Sequence, residues 1–261
     1  KSPLLISVWG NDFTLHARSN PLMAAATRRA MHRADALHAD TQRDQLLAGE
    51  WGFAADRPSL VLPGNGGVRG EIFKPSEKQN EFQVVNPRGV RAYVRNDVFF
   101  RAIPLVLAKI PSAHFVCPGM AHEPEAQRWI DQLKISSSVE LLPKLDPKAM
   151  ASAFQDSQVS VSPSTHDGTP NTLLEAMACG CFPVASDLES IREWIKSGEN
   201  GLLVDPNYVE GVAGAIVRGL RDAKLRTSAA KINLKLIQGR ANFSTNMAKV
   251  EQFYKTLLNK K

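Results

Sequence analysis

A chain of 261 residues, 43% hydrophobic and 22% charged, has the make-up of an ordinary globular protein, enough for one large domain or two modest ones. No apolar run approaches the roughly 18 residues of a membrane span, so no helical anchor is expected. The net charge of +6 is spread along the chain rather than gathered in a basic block. That pattern suits phosphate-bearing small ligands or an anionic membrane surface as well as nucleic acid, and no nucleic-acid partner is assigned.

The opening KSPLLISVWGND has too short an apolar core for a secretory signal and lacks an initiating Met, as a fragment or processed chain would. Residues 4–9 read as a buried strand, turned at its end by Gly10, Asn11 and Asp12. A helix over 21–33, a strand near 35–39, a helix over 41–48 and a strand at 59–62 follow. Three strands and two helices are too little for an independent doubly wound domain. The turn-rich run Pro63-Gly64-Asn65-Gly66-Gly67 then reads as a hinge.

Beyond it strand and helix alternate. Strands are expected at 81–86, 113–118, 139–142, 158–161, 182–186 and 201–204. Helices are expected at 97–109, 123–134, 146–156, 188–197 and 207–220. This spacing predicts an α/β fold, a doubly wound parallel sheet with right-handed crossovers. Residues 223–261 read as helical and free of strands. Three cysteines, Cys117, Cys179 and Cys181, show no metal-ligand spacing and fit buried packing in a reduced, cytoplasmic setting.

One stretch concentrates the chemistry. Ser162 to Val184 reads as loop, helix, tight stop and strand, with Thr169 as N-cap, Pro170 at the first helical position and Gly180 as a left-handed stop. Glu175 is set among Leu173, Leu174, Met177 and Ala178, with Asn171 one turn earlier on its face. A carboxylate in apolar surroundings needs partners, and sugar hydroxyls would suit. The helix start, with Gly168, Thr169, Asn171 and Thr172, reads as an anion site; the alternative is that Asp167 merely caps the helix. His166 either touches a ligand or closes the loop. Arg88, Arg91 and Arg95, three arginines in eight residues after the strand at 81–86, suit a diphosphate. No Asp-x-Asp pair or His/Cys spacing points to a metal, and no cofactor is expected.

Asp167, seven intervening residues, Glu175, then Ala-Met-Ala-Cys-Gly and Pro-Val resemble the acid-x7-acid signature of retaining glycosyltransferases of family four. The family's usual first acid is glutamate, and the aspartate here is one methylene shorter. The resemblance implies the GT-B fold, in which two Rossmann-like domains face across a cleft. Residues 1–65 would then be the remnant of an acceptor-side domain whose first half lies outside the sequence. Residues 66–243 would be the donor-binding domain, and 244–261 a terminal helix crossing back onto the first part. WGND would match a late segment of the acceptor-side domain, placing Trp9 where many members carry a cleft histidine; Trp9 as plain core packing stands beside that reading.

The implied reaction moves a hexose from a nucleotide diphosphate sugar to an acceptor hydroxyl with retention. The acceptor itself is unspecified. Arg88 and Arg95 would hold the diphosphate, with Arg91 as substitute for the latter; Glu175 would hold the ribose and Asp167 the hexose. Gly66 and Gly119 would let backbone approach the donor, and Lys144 would lie near the base. A cytoplasmic enzyme is expected, with peripheral contact on the inner face of the membrane as an open alternative. Two rivals are a nucleotide-sugar 2-epimerase of the same architecture and a non-catalytic donor-binding module that needs a separate acceptor domain.

Overall fold

The computed structural model describes residues 2–76 and 79–259, which contain two parallel sheets. The smaller holds β1 (Leu5–Val8), β2 (Ala36–Ala39) and β3 (Ser59–Val61) side by side. Its crossovers are α1 (Pro21–Arg33) and α2 (Gln42–Glu50). Both start where the sequence supplies a cap: the Asn20 side chain accepts the Met23 N–H at 2.9 Å, and Thr41 accepts the Asp44 N–H at 3.0 Å. Between β1 and α1, residues Asp12–His16 form one π-helical turn, which periodicity does not reveal. Phe13 anchors that turn by stacking on Trp51 with ring centroids 6.4 Å apart.

The larger sheet runs in the order β6-β5-β4-β7-β8-β9, all parallel. Its strands are β4 (Gln83–Val85), β5 (His114–Pro118), β6 (Val139–Leu142), β7 (Val159–Ser162), β8 (Phe182–Ser186) and β9 (Leu202–Val204). The order reverses between β4 and β7, which is where a doubly wound sheet opens a crevice beyond its strand ends. Strand alternation sends Val84, Phe115, Val161 and Val184 to one face and Val85 and Ala185 to the other. The first face is covered by α3 (Asn96–Leu107), α4 (Pro124–Leu133) and α8 (Val209–Arg221). The second is covered by α5 (Pro147–Asp156), α6 (Asn171–Ala178), α7 (Glu189–Arg192) and α9 (Ala223–Arg240). The fold is thus α/β with Rossmann-like sheets. Cys117, Cys179 and Cys181 are free and buried, and burial pushes the Cys179 thiol up to about 12, so these thiols serve packing.

Several boundaries differ from expectation. The helix expected over 188–197 is a single turn, α7. The strand at 81–86 shortens to β4, because Phe82 turns the chain with a positive φ of 57°. The helical tail is divided at Ala241–Asn242 into α9 and α10 (Phe243–Asn259), and the last two residues of the expected helix lie outside the described residues. At the division Val68 N–H donates to the Ala241 carbonyl at 2.7 Å, and Phe243 N–H donates to the Val68 carbonyl at 3.0 Å. The segment after the turn at 63–67 is thereby tied to the α9–α10 junction.

Candidate active site

The loops after β4 and β7, which flank the switch point, carry Arg88 and Asp167. Their side chains meet with Arg88 Nη1 2.7 Å from Asp167 Oδ2, both largely buried. The same carboxylate accepts from Ser164 Oγ at 3.3 Å and, through Oδ1, from the Gly168 N–H at 3.2 Å. A charge-assisted pair of this kind holds two loops of the same sheet together while leaving other guanidinium donors for a ligand.

The pair opens onto a cavity of about 290 Å³ between the two sheets. Its walls are the ends of β1 and β2 and the turn after β3 on one side (Trp9, Asp40, Gly64, Asn65), and the loops and α6 start on the other. Gly168, Thr169, Asn171 and Thr172 all line it. The first N–H groups of a helix have no intrahelical acceptor, so the start of α6 presents donors and a positive dipole end to the same space as Arg88. Trp9 is 53% exposed and lines the cavity, which removes the plain core reading for it. A Cβ on Gly64 would meet its ring at 3.0 Å.

The local capping differs from the sequence reading. Pro170 occupies the N-cap with an extended ψ of 120°, and the helix begins at Asn171. Thr169 does not cap it. Its N–H donates to Asp40 Oδ2 at 2.6 Å, its hydroxyl donates to the Asp40 carbonyl at 3.1 Å, and Trp194 Nε1 donates to that hydroxyl at 3.1 Å. Asp40 had no assigned role, although it follows β2 at a strand end, where such sheets gather ligands. Burial pushes its carboxyl up to about 6; the N–H donors of Thr169 and Gly64 oppose the rise, and the charges of Asp44 and Asp167 add to it.

Several expected contributors lie outside this cavity wall. Arg95 is turned away from the cavity: its Nε and Nη2 grip Asp97 at 2.8 and 2.9 Å, and Nη1 reaches Asn207. That pairing holds the Asp97 carboxyl below its usual range. Arg91 lines the cavity instead, beside Tyr93, whose hydroxyl lies 3.1 Å from Arg91 Nη1. His166 opens into a different cavity of about 440 Å³ with Thr14, Arg18 and Arg192. Gly66, at φ 87°, faces α10, where a Cβ would strike Phe243 and Met247, so its freedom serves packing and not donor approach. Lys144 is exposed and outside the cavity wall.

Gly119 stands at the end of β5 with open space beside it; only Gly89 lies within 4 Å of a Cβ built there. Glu175 is half-buried on α6, and burial pushes its carboxyl up to about 7. It does not line the cavity. Among the described residues no group of three or more His, Cys, Asp or Glu is placed to hold a metal ion. Among the described residues no helix is long and apolar enough to cross a membrane.

Comparison with known proteins identifies the family and the fold. A phosphatidyl-myo-inositol mannosyltransferase of Mycolicibacterium smegmatis is 28% identical over 163 residues, 61% of this chain and 41% of that protein. The chain therefore spans less than half the length of this relative. Anabaena HepE, solved in complex with UDP and glucose, superposes with a TM-score of 0.81 at 17% identity, over 97% of this chain and 72% of that one. The C-terminal domain of a group 1 glycosyl transferase family protein from Francisella tularensis superposes with a TM-score of 0.59 at 22% identity. It covers 67% of this chain and 98% of its own length, and both likenesses show the fold. The family model for glycosyl transferases group 1 matches residues 89–222, more than half of the 261, from the loop of Arg88 to the end of α8. The chain belongs to the group 1 glycosyl transferases.

Proposed function

We propose that this chain is the donor-binding part of a retaining glycosyltransferase, which moves a hexose from a nucleotide diphosphate sugar to an acceptor hydroxyl. The observation that carries the proposal is the meeting of Arg88 with Asp167 at the switch point, 2.7 Å apart, on the wall of a polar cavity that also receives the start of α6.

In the reaction the bond from the anomeric carbon to the diphosphate oxygen breaks, and the oxygen leaves with the electron pair. Arg88, Arg91 and the N–H groups at the start of α6 take the growing negative charge. Asp167 faces the positive charge on the sugar ring. The acceptor oxygen bonds to the anomeric carbon on the side the diphosphate leaves, and its proton passes to the departing phosphate. No protein base is required, and the leaving-group charge is assigned to arginine and backbone donors. Glu175 is assigned to the ribose hydroxyls, and Gly119 and Gly89 to backbone contact with the nucleotide. Residues 1–65 are assigned to the acceptor-side domain and 66–243 to the donor domain.

Names of similar proteins support nucleotide sugars in general. HepE was solved with UDP and glucose, and the M. smegmatis relative is named a mannosyltransferase. Melting curves with UDP-, GDP- and ADP-sugars test the proposal. At a hundredfold excess over its Kd the cognate donor stabilises the native state by about 2.7 kcal/mol. No shift with any of the three, or conversion of a nucleotide sugar in the absence of acceptor, overturns it.

A further inference from the structure

The turn that carries Asp167 is gripped from the small sheet at two points. Arg43, in the first turn of α2, donates through Nη1 to the Asp167 carbonyl and through Nη2 to the Gly10 carbonyl, each at 2.8 Å. Its own orientation is set by Asp44, which accepts from Nε at 3.0 Å and from Nη2 at 2.7 Å. Asp40 closes the other side, with Oδ2 accepting the Thr169 N–H at 2.6 Å and Oδ1 the Gly64 N–H at 2.8 Å.

The larger unit answers in kind. Ser190 Oγ donates to the same Asp167 carbonyl at 2.7 Å. Glu193 accepts the N–H groups of Gln42 and Arg43 at 3.0 Å each, at the positive end of α2. Gly10 and Gly168 let the two backbones touch between these contacts, since a Cβ on Gly168 would stand 2.6 Å from the Gly10 Cα. The Asp167 carbonyl is therefore pinned by one donor from each unit, and the N–H two residues on is pinned by a carboxylate. Little freedom is left for the direction in which the Asp167 side chain points.

We propose that Arg43 and Asp40 are positioning residues, through which the small-sheet unit aims the Asp167 carboxylate at the reacting bond. The inference rests on the role proposed for Asp167. The chemistry explains the residue types. A guanidinium can fork between two carbonyls and still hold Asp44, which an ammonium cannot do in fixed geometry. A carboxylate can accept two N–H groups from separate segments. Their effect should fall on turnover, because a displacement of about 1 Å in a catalytic group costs on the order of a hundredfold in rate.

The test uses the complete protein and four variants. In Arg43→Met/Asp44→Asn the pair is replaced without stranding a buried charge, and Asp40→Asn is isosteric. Both should lower kcat roughly 30- to 100-fold while leaving nucleoside diphosphate affinity, by calorimetry, within about twofold, the split expected when only transition-state contacts are lost. Arg43→Gly should regain turnover when methylguanidinium is added, which a purely structural role would not produce. Asp167→Asn is the reference arm. Normal kcat in both of the first two variants, or a fall in diphosphate affinity that matches the fall in kcat/KM, overturns the positioning role. Full turnover in Asp167→Asn, or a wild-type protein that binds no nucleotide sugar, overturns the donor-site proposal and this inference with it.

Discussion

Arg88 and Asp167 lie 79 positions apart in sequence, yet their side chains form a 2.7 Å ion pair across the point where the larger sheet reverses its strand order. Each comes from the first loop residues beyond a strand end. The parallel sheet fixes those ends side by side, so the pair is a product of topology more than of local sequence. A buried arginine with a single carboxylate partner keeps donors in reserve, and an incoming diphosphate can use them.

Arg88 and Arg95 should separate experimentally. Arg88→Ala is expected to weaken nucleoside diphosphate binding by about 1.5–3 kcal/mol, the range for hydrogen bonds to charged groups. It should also lower stability by about 3 kcal/mol, since Asp167 is left buried without its ion partner. Arg95→Ala should leave diphosphate affinity unchanged, because its guanidinium is occupied by Asp97 and Asn207. Calorimetric titration of UDP and GDP decides. Equal losses in both variants would return Arg95 to the site.

Asp167→Asn should bind nucleoside diphosphate normally and lose about a hundredfold in turnover, comparable to removing one electrostatic stabiliser. The asparagine keeps the side-chain shape, cancels the charge and exchanges one acceptor oxygen for a donor. Transfer at the wild-type rate would reduce Asp167 to a structural partner of Arg88.

Glu175 makes stability depend on pH, and the sign follows from its raised carboxyl. Burial lifts it from 4.5 to about 7, so the folded state holds the proton more tightly than the unfolded chain. The stabilisation is complete below about pH 4.5 and is lost as pH rises through about 7. Glu175→Gln should therefore flatten the urea midpoint between pH 5 and pH 8 and raise it at pH 8. Asp40, lifted to about 6, contributes a slope of the same sign that remains in this variant. An unchanged pH profile would show that Glu175 titrates as a solvated side chain. The same substitution should weaken nucleotide sugar and free diphosphate alike, since both carry the ribose.

Gly168→Ala should cost about 1–3 kcal/mol, the usual range for overpacking. The added Cβ would meet the Asp40 carboxylate and the Gly10 backbone, and neither is the mobile end of a long side chain. Gly70→Ala is the control, because nothing lies within 4 Å of a Cβ there. Equal melting temperatures for the two variants would show that the two units are not held together at this point.

Sequence by itself determined the alternating order of strands and helices, because burial on both faces of a parallel sheet demands apolar runs of strand length between amphipathic helices. It also determined the α6 motif, since Asp167 and Glu175 stand out against Leu173, Leu174 and Met177 in a helix whose start and stop are both written in Pro and Gly. The small-sheet unit was equally legible, through its apolar strand runs at 4–9, 35–39 and 59–62 with helical stretches between them. What only the tertiary structure decided is where each polar side chain spends its hydrogen bonds. Arg91 reaches the cavity and Arg95 does not, because Asp97, two residues on, captures the latter. His166 and Asp167 are neighbours in sequence but face different cavities, which no local pattern reveals. Asp40 and Arg43 lie more than a hundred residues from the turn they hold, and no local pattern marks them. Propensity and burial act along the chain, whereas pairing between loops depends on which strand ends the sheet brings together.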